Sequence, residues 1–156
     1  MIRASFALFA VLSAPALAAD ASAIAGTWNV TSTTTSWSTC PAAPPESTPG
    51  YVSAYVWIVS VDVLGNISVS VQGSTAFPVL YGNMTGTKIT LQGDGVRSDL
   101  ALMAKKQTKT WFSLDSSSGE LVGIRRYLGI YGVPQADGST VSMPCFIDFE
   151  VRAKKA

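Results

Sequence analysis

The chain has 156 residues, with 11 basic and 10 acidic side chains, no histidine and a formal net charge of +1. A charge this balanced offers no cationic footprint for nucleic acid, and the lack of histidine removes Ser-His-Asp and Cys-His catalysis together with the usual zinc ligands. Charged residues make up 13% of the chain and hydrophobic residues 47%, a balance suited to a half-buried sheet with a Ser/Thr outer face.

The chain opens on Met1-Ile2-Arg3, an apolar run from Ala4 to Leu12, and the triplet Ala16-Leu17-Ala18. This is the pattern of a signal peptide over residues 1–18, cut after Ala18. Its apolar core is shorter than the roughly 20 residues that span a bilayer. An exported protein follows, periplasmic or extracellular, with one domain over residues 19–156 and no transmembrane segment.

Beyond the signal no window sustains the helical period, and period two recurs instead. In Asn66 to Gln72 the apolar Ile67, Val69 and Val71 alternate with polar neighbours. Strand-like segments run from Gly26 to Trp37, Tyr51 to Val63, Asn66 to Gln72, Phe77 to Met84, Lys88 to Gln92, Ser98 to Lys106, Lys109 to Asp115, Glu120 to Leu128 and Cys145 to Arg152. Short connectors such as Leu64-Gly65-Asn66, Thr85-Gly86-Thr87 and Gly93-Asp94-Gly95 read as turns between antiparallel neighbours. Two connections are longer, Ser38 to Gly50 and Gly129 to Pro144.

These segments predict an all-β protein, a small antiparallel up-and-down β-barrel of about eight or nine strands, with a β-sandwich as the alternative. In an exported chain Cys40 and Cys145 are expected to form one disulfide, worth about 4 to 5 kcal/mol in the chain-entropy model. Such a bridge sets the exit of the first strand beside the entry of the last, as in a barrel closed by those two strands. Closure of that kind needs an even strand count, so one of the nine segments is split, merged or not a strand.

The opening segment Ala25-Gly26-Thr27-Trp28-Asn29-Val30 resembles the G-x-W entry of the calycin-type barrels, the lipocalins and avidins. The resemblance implies a barrel with a binding role. It also implies a basic residue of the last strand packed across the tryptophan ring, for which Arg152 is placed. The further lipocalin motifs and the biotin-binding set of avidins have no counterpart here, so the resemblance names no ligand.

Candidate site residues come from the aromatics and from one arginine. Tyr51, Tyr55 and Trp57 alternate on one face of a strand, and Trp111 lies in another; small-ligand pockets are apolar, aromatic-rich and carry a few placed polar groups. In Arg125-Arg126 one guanidinium has to face inward if the strand is regular. Arg126 shares its parity with Val122, Ile124 and Leu128, so it is the expected inward one unless a bulge frees it, and it needs an anionic partner from the protein or from a ligand. Asp148, Glu150 and Arg152 share one face and read as a solvated surface. All three asparagines, Asn29, Asn66 and Asn83, stand in N-x-S/T sequons; glycans are not expected on them.

The expected function is a lipocalin-like binding protein for a small hydrophobic or amphipathic molecule, with Tyr55, Trp57, Trp111 and Arg126 as the ligand-binding set. No cofactor and no enzymatic activity are expected. The alternatives are a barrel-scaffold protease inhibitor that presents the Pro-rich segment Pro41 to Pro49, and a structural protein of the cell envelope.

Overall fold

The computed structural model describes residues 21–38, 48–75, 77–99 and 104–156. Among them eight strands follow a short 3-10 helix, Ala21–Ile24. The strands are β1 Gly26–Trp37, β2 Val52–Val61, β3 Ile67–Val71, β4 Leu80–Thr85, β5 Lys88–Asp99, β6 Ala104–Asp115, β7 Leu121–Pro134 and β8 Thr140–Lys155. Each pairs antiparallel with the next, and β1 pairs antiparallel with β8, so the sheet is a closed barrel. The sandwich alternative is excluded. The signal-like residues 1–18 and Cys40 lie outside the described residues.

Eight strands replace nine because one expected turn is not a turn. Gly93-Asp94-Gly95 lies inside β5, which pairs with β6 from Lys88↔Asp115 to Asp99↔Ala104. The described ends of the segment Ser98 to Lys106 belong to β5 and β6, so among the described residues it is not a strand of its own. The glycines answer to crowding: a Cβ on Gly93 would come within 2.7 Å of Leu80 Cδ2, and one on Gly95 within 2.9 Å of Thr108 Oγ1. The expected loop Gly129 to Pro144 is likewise mostly strand. β7 and β8 stay paired out to Pro134↔Thr140, and beyond Tyr131 no pairing of β7 with β6 is seen.

The barrel wall is uneven in height. β3 and β4 have 5 and 6 residues whereas β5 to β8 have 12 to 16. Pro78 and Val79, which precede β4, lie against Gly93 of β5.

At the other end the inner face is apolar, with Val30, Val59, Ile67, Ile89, Leu114 and Val151 all buried. The 3-10 helix closes this end. Ile24 is buried there, and its carbonyl accepts a hydrogen bond from Trp28 Nε1 at 2.8 Å. Gly26 turns the chain from helix into strand at a φ of +126°, a conformation that favours glycine. This accounts for the Gly and the Trp of the Gly-x-Trp entry by local geometry.

The basic partner of Trp28 is not Arg152. Trp28 stands opposite Lys155 in the β1–β8 ladder, and Lys155 Nζ lies 5.8 Å from its ring centre while donating to the Ala23 carbonyl at 3.0 Å. Arg152 falls on the exposed face, since Val151 and Ala153 on either side of it point inward and are fully buried. Trp28 itself is 3% exposed, so Trp28→Ala should cost about 3 to 5 kcal/mol, as large aromatic truncations in cores do. Denaturant unfolding measures this directly; a loss below about 1 kcal/mol would mean that Trp28 does not anchor the helix-capped end.

Candidate functional site

The open half of the barrel interior has a different chemistry from the capped half. Ser32 and Thr34 on β1, Thr108 and Thr110 on β6, and Arg125 on β7 are all buried there. The expected parity of β7 is reversed: Arg125, not Arg126, faces inward. Its partners across both ladders are the buried Phe112 and Phe149, whereas Ile124 is 61% exposed.

Arg126 points outward, where its Nε and Nη2 donate to the two carboxylate oxygens of Asp148 at 2.7 and 2.9 Å. The anionic partner required for Arg126 is thus a protein carboxylate on the outer surface. Trp111, opposite Arg126 in the β6–β7 ladder, is also on the outer face, and the aromatic that β6 sends inward is Phe112. Of the four expected ligand-binding residues, Tyr55 and Trp57 are together in the interior, and Trp111 and Arg126 are together outside.

The Arg125 guanidinium sits among aromatic rings. Its Cζ is 4.6 Å from the Phe149 ring centre, 4.9 Å from Phe77, 5.7 Å from Phe112 and 5.8 Å from Tyr127. Each distance is within the range in which a cation is attracted to the face of a ring. Its Nε donates to Thr110 Oγ1 at 3.1 Å.

The rings also touch each other. Trp57 meets Phe112 edge to face at 5.1 Å, and Tyr55 lies 6.1 Å from Trp57 and 5.9 Å from Phe77. Phe77 belongs to no strand. It comes from the connection between β3 and β4 and covers the guanidinium from the mouth of the barrel. Sequence periodicity carries no signal for such a residue.

Three polar atoms in this half have no hydrogen-bond partner among the described residues: Ser32 Oγ, Tyr55 Oη and Trp57 Nε1. Trp57 and Ser32 are fully buried. Burial pushes the Tyr55 phenol above its ordinary 10.0, while the charge of Arg125 and the nearness of Ser32 pull it down. Neither neighbour makes a hydrogen bond of good geometry with Tyr55 Oη. A buried polar group left unpaired costs about 1 to 3 kcal/mol. Indole N–H is a donor only, so what Trp57 Nε1 lacks is a hydrogen-bond acceptor.

Cys145 lies within β8, not at its entry as expected, and it is buried and faces the same interior. Just beyond the end of β1 the backbone N–H of Ser38 donates to the Phe146 carbonyl at 2.9 Å. No protein-family model matches the chain, and no curated protein sequence matches it significantly.

The outer ion pair has a pH signature. The Arg126 hydrogen bonds hold the Asp148 carboxyl below its ordinary 3.8, and Lys88 does the same for Asp115. A depressed carboxylate contributes stability that is complete above the unfolded-state pKa and lost as the pH falls through the folded one. Acid unfolding should therefore steepen below pH 3.8, and Asp148→Asn should flatten that part of the profile without changing stability's pH dependence near neutrality. Equal acid profiles for the two proteins would show that the pair contributes nothing measurable.

Proposed function

We propose that this chain is an exported binding barrel that holds a small apolar or amphipathic molecule, carrying a hydrogen-bond acceptor, in its open half. The observation that carries this reading is the set of three unpartnered buried polar atoms, on Ser32, Tyr55 and Trp57, in the half of the barrel that also holds the Arg125 charge. The acceptor, a carboxylate by preference, would take hydrogen bonds from Trp57 Nε1 and the guanidinium, with the apolar body along Phe112 and Phe149. The aromatic rings are packed against each other in the present state, so entry requires Phe77 and its connection to swing from the mouth.

The test is a Trp fluorescence titration with a medium-chain fatty acid and the alcohol of the same length. A charge-assisted hydrogen bond contributes about 1.5 to 3 kcal/mol net, so the acid should bind roughly ten- to hundredfold more tightly than the alcohol. Arg125→Gln should abolish that preference. Ser32→Ala should weaken binding yet raise the stability of the empty protein by about 1 kcal/mol, because it removes an unpaired buried hydroxyl. Equal affinities for acid and alcohol, or no response to either, would overturn this reading.

Export and a Cys40–Cys145 bridge belong to the same proposal. The Ser38–Phe146 hydrogen bond brings the chain to within two residues of Cys40 beside the residue that follows Cys145. Two extended residues reach roughly 7 Å, which is ample for a disulfide. The mature protein, denatured without reductant, should show no titratable thiol; two would rule the bridge out.

A second reading, a protein-binding module, has one observation in its favour. Val63 and Leu64 are almost wholly exposed on the β2–β3 turn. That turn is stiffened by Asp62, which accepts hydrogen bonds from the backbone N–H of Leu64 and Asn66 and from the Asn66 amide. A rigid apolar knob of this kind suits insertion into a partner's pocket at low entropic cost. The Pro-rich segment Pro41 to Pro49, the expected inhibitory loop, lies mostly outside the described residues.

A further inference from the structure

The outer wall carries a row of side chains that the interior site does not use. Tyr81 stands opposite Gln92, Gln92 opposite Trp111, Trp111 opposite Arg126 and Arg126 opposite Asp148. The row thus crosses β4 to β8 at right angles to the strands. Tyr81 is 62% exposed and Trp111 37%. Neighbouring strands lie about 4.8 Å apart, which places these two rings roughly 10 Å from each other with Gln92 between them. Beside Tyr81 a shallow groove is lined by Val79, Tyr81, Gln92, Gly93 and Asp94.

We propose that this outer track across β4 to β6 binds a linear, uncharged oligosaccharide, its sugar rings stacked on Tyr81 and Trp111 and its hydroxyls held by Gln92 and Asp94. The C–H face of a pyranose is apolar and weakly positive, and it packs on the negative face of an aromatic ring. Its edge is a ring of hydroxyls that both donate and accept. The Gln92 amide supplies one donor group and one acceptor, and the Asp94 carboxylate supplies acceptors. Two rings two strands apart, with an amide between them, suit a flat β-1,4-linked ribbon, whose alternate sugars present the same face at about that interval.

Charge narrows the choice of ligand. Arg126 is engaged by Asp148, and Asp94 stands opposite Lys109 in the β5–β6 ladder. Along the row from Tyr81 to Asp148 the one cation, Arg126, is thus matched by a carboxylate, whereas single-stranded nucleic acid needs stacking and a basic groove together.

The experiment is isothermal titration of the full chain with cellohexaose and, separately, with maltohexaose, whose α-linked chain coils and cannot lie along a straight row. Saturable binding of cellohexaose is expected, with maltohexaose much weaker. Tyr81→Ala and Trp111→Ala should each reduce affinity at least about tenfold, a loss of roughly 1.4 kcal/mol, and Gln92→Ala should reduce it severalfold. All three side chains are on the surface, and an unchanged near-UV circular dichroism spectrum would show the barrel intact. Arg125→Gln, inside the barrel, should leave sugar binding as it was, so this track and the interior site succeed or fail separately. No saturable heat with cellohexaose, equal affinity for the two sugars, or full binding by both aromatic variants would overturn the proposal.

Discussion

The ladder between β1 and β8, from Trp28↔Lys155 to Trp37↔Ile147, turns a meander of hairpins into a closed wall, and the interior exists only because of it. Were that seam open, both strands would present rows of unpaired N–H and C=O groups. The seam also joins the two ends of the described chain at the capped end. There Lys155 reaches both the Trp28 ring and the Ala23 carbonyl. A bulge between Thr34 and Ser36 shifts the register midway and brings the Ser36 hydroxyl to Asp148, beside the bidentate pair with Arg126.

Within that wall the two halves of the interior do opposite things. The capped half buries aliphatic side chains and supplies the driving force for folding. The open half buries hydroxyls, an indole N–H and a guanidinium, each of which is costly to remove from water without a partner. A barrel can hold such groups only when its other half is well packed. Departures from the most stable arrangement of this kind collect where a protein binds something. The aromatic rings around Arg125 soften the cost, since each offers the cation a negative face, but they leave Trp57 Nε1 unanswered.

Much of the architecture was legible from alternation alone. The bounds of β1 and the five residues of β3 follow from period two and from flanking turn residues. Closure by the first and last strands was expected on an assumed pairing of Cys40 with Cys145, and the β1–β8 ladder establishes it independently of that pairing. What misled was composition. Gly93-Asp94-Gly95 has the residues of a turn, yet its glycines are there because Leu80 and Thr108 press on the strand.

On β7 the outward positions Val122, Ile124 and Leu128 are more apolar than the inward ones, so counting hydrophobes chose the wrong face and with it the wrong arginine. The signal that could have corrected this is Gly123 and Gly129, which share the parity of Arg125. A Cβ on Gly123 would fall 2.0 Å from the Ser113 carbonyl oxygen, a position where only the smallest residue fits between crowded strands. Phe77 was beyond reach, because a side chain that enters a barrel from a connection leaves no periodic trace.

The same seam imposes an order of events on the newborn chain. β1 to β7 can zip together hairpin by hairpin as they are made, each strand finding a neighbour close in sequence. The free edge of β1, however, has to wait for Ile147–Lys155, across most of the length of the chain. Until then the molecule is an open sheet with two sticky borders and a half-built, polar interior, a form suited to being held by a chaperone and prone to self-association if it is not. Truncation inside Ile147–Lys155 would leave the chain in that form for good, so its signature would be aggregation and not a gradual loss of binding.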